Sequence, residues 1–190
     1  LDECKSQCSD DIKLTKEKTE IGVTMDKAKY QEELEAVKQD GEALKSVPEE
    51  LKTPELCLVA VKQHGLALGD VPEELQTREI LLEAVKQDGS AIEYVPEHEL
   101  DDELCLEAVK EWGGALEHVP YELITPELCL VAVKQGVLKD DWGSPLRYVP
   151  ENLKTPELCL VAVKSRGDAL ECVPKELKEA VEREVKTAES

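Results

Sequence analysis

Phenylalanine is absent from this 190-residue chain, and aromatic residues of all kinds make up only 3% of it. A single globular core of that size draws on large aromatic rings to fill its centre. Their scarcity argues for the thin core that stacked short repeats enclose. Positive charge is also in short supply. Lys and Arg number 23 against 43 Asp and Glu, a formal net charge of −20. A phosphate backbone needs a basic stripe, so the expected partner is not nucleic acid, and an anionic membrane surface is disfavoured on the same ground. The acid excess attracts a partner of basic character in a salt-dependent way. No apolar run approaches the ~18 residues of a membrane span.

Chemistry-bearing motifs are missing too. There is no nucleophile motif, phosphate loop or HExxH helix. His64, His98 and His118 have no carboxylate or cysteine partner at ligand spacing and read as ordinary surface residues. With 43 acids in the chain, paired carboxylates carry no information about acid–base catalysis. The chain is therefore expected to be no enzyme and to need no metal or cofactor.

What is present is a repeat. The decapeptide Thr-Pro-Glu-Leu-Cys-Leu-Val-Ala-Val-Lys stands unchanged at 53–62, 125–134 and 155–164, with looser copies at 77–86 and 101–110. Ala-Val-Lys recurs at Ala36, Ala60, Ala84, Ala108, Ala132 and Ala162, with spacings of 24, 24, 24, 24 and 30. Val-Pro recurs at Val47, Val71, Val95, Val119, Val149 and Val173, with spacings of 24, 24, 24, 30 and 24. Together the two series place one six-residue insertion at 136–141. A fixed period in this range marks a solenoid.

Within the second repeat, Thr53 is placed to cap a helix that opens on Pro54, where a missing N–H costs nothing, and Glu55 sits at the positive end of its dipole. Gly65 is read as a left-handed C-cap, so the helix is predicted from Pro54 to His64. A short second helix follows, burying Ala67, Leu68 and Val71, until Pro72 stops it or opens a last tight turn through Leu75. On a helical wheel Leu56, Cys57, Leu58, Ala60 and Val61 cover about 200°, which fits a helix sandwiched between neighbouring repeats. The predicted fold is all-α: a right-handed α-solenoid of about six 24-residue repeats, each a long helix plus a short helix, capped at both ends.

The expected organisation is a non-repeat cap segment over 1–25, a repeat array over 26–174 and a capping helix over 175–190. Residues 1–25 alternate in a way that reads as a hairpin across 16–19 or as a helix. In the capping helix Leu177, Val181, Val185 and Ala188 share a stripe. Cys57, Cys105, Cys129 and Cys159 hold one repeat position, occupied by Leu81 in another copy, so they read as small buried apolar residues. Unpaired core cysteines favour a reducing compartment, hence the cytoplasm. The chain starts at Leu1 without Met, and a removed leader is the alternative.

The phrase Ala-Val-Lys-x-x-Gly-x-Ala-Leu-x-x-Val-Pro-x-x-Leu resembles the repeats of DUF4116, a mainly bacterial family of unknown function. The resemblance covers about residues 30–178. It implies a helical array and a bacterial source, and it assigns no functional residue.

Candidate binding residues come from the pattern instead. Trp112, Tyr121, Trp142 and Tyr148 lie in the fourth and fifth repeats, which hold most of the aromatic rings. Trp112 and Trp142 share a repeat position, and the insertion brings Val137 and Leu138 just before Trp142. Neighbouring rings beside an apolar-tipped loop have the composition of an interface hot spot, or of a loop covering its own Trp. Val59, Val131 and Val161 fall on the non-core arc, where other copies carry Glu83 and Glu107. They form an exposed apolar strip, or packing reaches further round the helix. The lysine ladder Lys38, Lys62, Lys86, Lys110, Lys134 and Lys164 is an anion rail, or a set of local pairs with acids, the reading favoured here. The expected function is a protein- or peptide-binding scaffold. The alternative is a metal- or redox-responsive protein using Cys4 and Cys8.

Overall fold

A computed structural model describes residues 27–135 and 144–188, and among these it contains helices and turns but no strand. Seven α-helices follow one another: α1 (Lys27–Gln39), α2 (Pro54–Gln63), α3 (Arg78–Gln87), α4 (Asp102–Glu111), α5 (Pro126–Gln135), α6 (Pro156–Ser165) and α7 (Lys175–Ala188). Between them run 3₁₀ segments. The repeat built on α2 continues through Gly65–Asp70 and then the short turn Glu73–Leu75. Each repeat thus runs helix, 3₁₀ segment, 3₁₀ turn, and Pro72 opens that last turn as its N-cap.

The starts of α2 to α6 are held as their sequences require. The side chains of Thr53, Thr77, Asp101, Thr125 and Thr155 accept from the backbone N–H groups of Leu56, Ile80, Leu104, Leu128 and Leu158, at 2.9–3.4 Å. The ten-residue helix that follows is too short to persist alone, so packing must hold it. Leu56, Cys57, Ala60 and Val61 are fully buried, and so, nearly without exception, are their equivalents in α3 to α6.

The packing has two rows. Successive α-helices lie against one another, and successive long 3₁₀ segments do the same; each of α2 to α6 also touches the 3₁₀ segment of its own repeat and of the one before. The 3₁₀ row follows from a spacing of three: Gly65, Leu68 and Val71 are all buried, as are Gly89, Ile92 and Val95 in the next repeat. Side chains three apart eclipse on a 3₁₀ helix, so this spacing turns one apolar edge inward.

Two expectations about the helix end need correction. The helix stops at Gln63, with His64 in extended conformation at φ −147° and ψ 106°. Gly65 is not a left-handed cap; it is the first residue of the 3₁₀ segment, and its backbone lies outside the left-handed region. Glycine is needed for space. A Cβ on Gly65 would lie 2.6 Å from the carbonyl oxygen of Ala84 in the next repeat, and one on Gly41, Gly89 or Gly113 would meet Ala60, Ala108 or Ala132 at 2.4–2.6 Å. The glycine and the Ala-Val-Lys alanine are thus two halves of one joint between repeats.

At the C-terminal end α7 packs against α6 with Val181 buried and Leu177 and Val185 half-buried against the core. Residues 1–25, read from sequence as a cap, lie outside the described residues, as do Cys4 and Cys8.

Candidate functional site

The predicted binding residues separate into distinct places. Val137, Leu138 and Trp142 lie outside the described residues. Trp112 caps the 3₁₀ segment Gly113–His118 and is half-buried rather than displayed. Its six-membered ring lies over Gly114, where an added Cβ would approach it to 2.4 Å, and it tilts against His118 with ring centroids 6.3 Å apart. Tyr148 is half-buried as well, and burial followed by its contact with Glu117 raises its hydroxyl above the usual tyrosine range. Among the described members of this set Tyr121 alone is widely exposed, at 63%, and its hydroxyl donates to Asn152 Oδ1 across to the next repeat at 3.3 Å.

Val59, Val131 and Val161 are half-buried against the core, so packing does reach further round the helix than the wheel allows. Val161 nevertheless lines an opening. Between α5 and α6 lies a groove of about 190 Å³, bounded by Pro126 and Leu130 on one side and by Leu153, Thr155, Glu157, Leu158 and Val161 on the other. Sequence reasoning missed Pro126, Leu130, Leu153, Glu157 and Leu158. The signal was there: α5 and α6 carry the same decapeptide in consecutive repeats, the one place where two copies with Val at this position stand side by side.

The equivalent crevices elsewhere differ, and the difference starts six residues before the Ala-Val-Lys alanine, which is the first helical position in α2 to α6 and the fourth in α1. In the α1–α2 crevice Tyr30 occupies it and its hydroxyl reaches Thr53 Oγ1 at 3.2 Å. In the α3–α4 crevice Arg78 occupies it, and its guanidinium donates to Asp101 at 2.9 Å and to Glu103 at 2.9 Å. Partial burial works against the Asp101 carboxylate, but the Leu104 N–H and Arg78 outweigh it and hold its carboxyl below the ordinary value. Proline at this position cannot reach across. Pro54 leaves the α2–α3 crevice unspanned too, but there Glu83 stands where α6 has Val161. In the α4–α5 crevice the position is the acid Asp102.

The lysine ladder is exposed throughout. Lys38 and Lys110 pair with Glu35 and Glu107 three residues back, at 2.8 and 2.6 Å, which is the local pairing favoured from the sequence. Two other lysines are unusually enclosed. Lys52 and Lys154, each with a side chain only 6% exposed, pair with Glu49 and Glu151, and Lys52 also donates to the Asp70 carbonyl at 2.8 Å. The core cysteines behave as apolar filler: burial pushes the Cys57, Cys105 and Cys129 thiols up to about 11. Among the described residues no group of three or more His, Cys, Asp or Glu is arranged to hold a metal ion, and no helix is long and apolar enough to cross a membrane.

A row of capped helices backed by a row of 3₁₀ segments, repeating along the chain, defines a helical-repeat protein. The chain belongs to the family described as a domain of unknown function, DUF4116, whose model matches residues 33–76, 53–100, 77–124 and 125–178. Each match takes in about two successive repeats, and three of them begin at a helix-capping threonine, Thr53, Thr77 or Thr125. No curated protein and no solved structure matches the chain.

Proposed function

We propose that this array is a protein- or peptide-binding scaffold without catalytic activity, and that its binding face lies on α5 and α6. The observation that carries the reading is the apolar groove beside Leu130, Leu158 and Val161. A stacked array buries its apolar side chains in the joints, and concave, largely apolar openings are where ligands bind. Tyr121 and Asn152 stand near it in sequence: Asn152 precedes the groove residue Leu153. Tyrosine with one apolar face and one polar tip is a frequent interface residue. The net charge of −20 favours a basic partner over nucleic acid or an anionic membrane.

The test is capture of partners from source-cell lysate at two salt concentrations by wild type and by Val161→Glu. Glutamate already occupies this helix position in α3 and α4, as Glu83 and Glu107, so the variant is expected to keep its circular dichroism spectrum. The expected result is a captured protein that the variant loses at least tenfold. Equal capture by both, or no capture at either salt, would remove the α5–α6 face as the site.

A further inference from the structure

The crevices between helices are variations on one cleft, and two of them show what fills it. Tyr30 spans the first by reaching the cap residue Thr53, and Arg78 spans the third by reaching the cap residue Asp101 and the first-turn acid Glu103. In the α5–α6 crevice the spanning position is Pro126, the cap is Thr155 and the first-turn acid is Glu157. Among the described residues Glu157 makes no ion pair, and it is exposed at the lip of the groove. So the molecule supplies the plug in cis at α3–α4 and leaves the same cleft open at α5–α6, with an acid at its mouth and an apolar floor below.

We propose that this cleft takes a basic peptide in trans. An arginine of the peptide sits against Glu157 and Thr155 as Arg78 sits against Glu103 and Asp101. A neighbouring apolar side chain fills the floor formed by Leu130, Leu158 and Val161. This rests on the scaffold reading and adds to it the chemistry of the partner. Charge complementarity selects the basic residue, because the whole chain carries −20 and an acidic or neutral segment would gain nothing at Glu157. Arginine is the residue chosen because it is the one that fills the α3–α4 cleft, where the Nη2 of Arg78 donates to both Asp101 and Glu103.

The test uses the full chain and three fluorescein-labelled synthetic peptides in a Gly-Ser background. One carries an arginine flanked by leucines, the second replaces the arginine by glutamate, and the third replaces the leucines by serine. Each is titrated by fluorescence anisotropy at low and at ~0.15 M ionic strength, where exposed charges more than about 8 Å apart are largely screened. The arginine–leucine peptide is expected to bind at least tenfold more tightly than either comparison peptide and to weaken with salt. The variant Pro126→Arg/Thr155→Asp copies the α3–α4 arrangement and so is built to fold. It is expected to lose at least tenfold of that binding, while the same pair of changes in the α2–α3 crevice, Pro54→Arg/Thr77→Asp, keeps it. Equal binding of the arginine and glutamate peptides, both lost in Val161→Glu, would overturn the arginine and leave the scaffold reading standing. Binding unaffected by Val161→Glu and by the double variant, or no binding of the arginine–leucine peptide, would overturn the proposal itself; lysate capture decides the scaffold reading separately.

Discussion

Gly65 and Gly167 hold the same place in their repeats and have opposite surroundings. A methyl group on Gly65 would strike the backbone of the next repeat, whereas one on Gly167 would meet nothing within 4 Å. The leucines three residues on differ in the same sense. Leu44, Leu68, Leu116 and Leu146 are essentially fully buried, while Leu170 is half-buried. The reason is that α7 continues the row of α-helices but no further 3₁₀ segment follows Gly167–Cys172 among the described residues. A repeat of this kind completes its core only through the next one, so equal sequences carry unequal stability along the array.

Truncation of the common leucine measures that inequality most directly. Leu116→Ala is expected to cost about 2–5 kcal/mol, the range for removing a buried leucine, and Leu170→Ala about half as much or less. Urea melts followed by circular dichroism would show it, and equal losses at the two sites would contradict the picture of a half-finished last joint.

The glycines should differ in sign. Gly89→Ala forces a methyl group to within 2.4 Å of the Ala108 carbonyl oxygen and 2.8 Å of the Trp112 nitrogen, both backbone atoms that cannot swing aside. We expect a loss of about 1–3 kcal/mol. Gly167→Ala, with open space and a helical backbone, should gain about 0.4–1 kcal/mol by restricting the unfolded chain. A stable Gly89→Ala protein would show that the joints can spread.

The cysteines sharpen the contrast through pH. In the unfolded chain a thiol ionises near 9, whereas burial holds those of Cys57, Cys105 and Cys129 at about 11. The folded pKa is raised and the buried form is neutral, so the stabilisation is complete below pH 9 and falls as pH rises from 9 to 11. Melts across that window should show a progressive decline that Cys→Val replacements at the three sites diminish. At pH 7.5 a thiol reagent should modify the half-buried Cys172 well before Cys57, Cys105, Cys129 or Cys159.

The smallest expected effect lies at the α3–α4 crevice. Arg78→Ala removes its contacts to Asp101 and Glu103, but the carboxylates are about half exposed or more, so we expect ~0.5 kcal/mol at low salt and less at high salt. Its larger consequence should be to open that cleft, which the arginine–leucine peptide would detect as a second, weaker site.

Much of this architecture could be read from residues near one another in the chain. The period, the place of the insertion and the capping threonines are local, because an N-cap bond joins residues three apart and a buried stripe repeats within one helix. The three-residue spacing from Gly65 through Leu68 to Val71 was equally visible and marks the 3₁₀ edge. Other features were not legible because they belong to pairs of repeats. Gly65 looks like a helix terminator until Ala84, nineteen residues on, is stacked against it. Val161 looks exposed until the floor it shares with Leu130 is seen. Pro126 looks like no more than a helix starter until Tyr30 and Arg78 show what that position does when its side chain can reach across. Local bonding and periodicity thus determined the repeat by themselves. Stacking alone decided which joints are closed and which cleft is left open, because those contacts exist only between repeats.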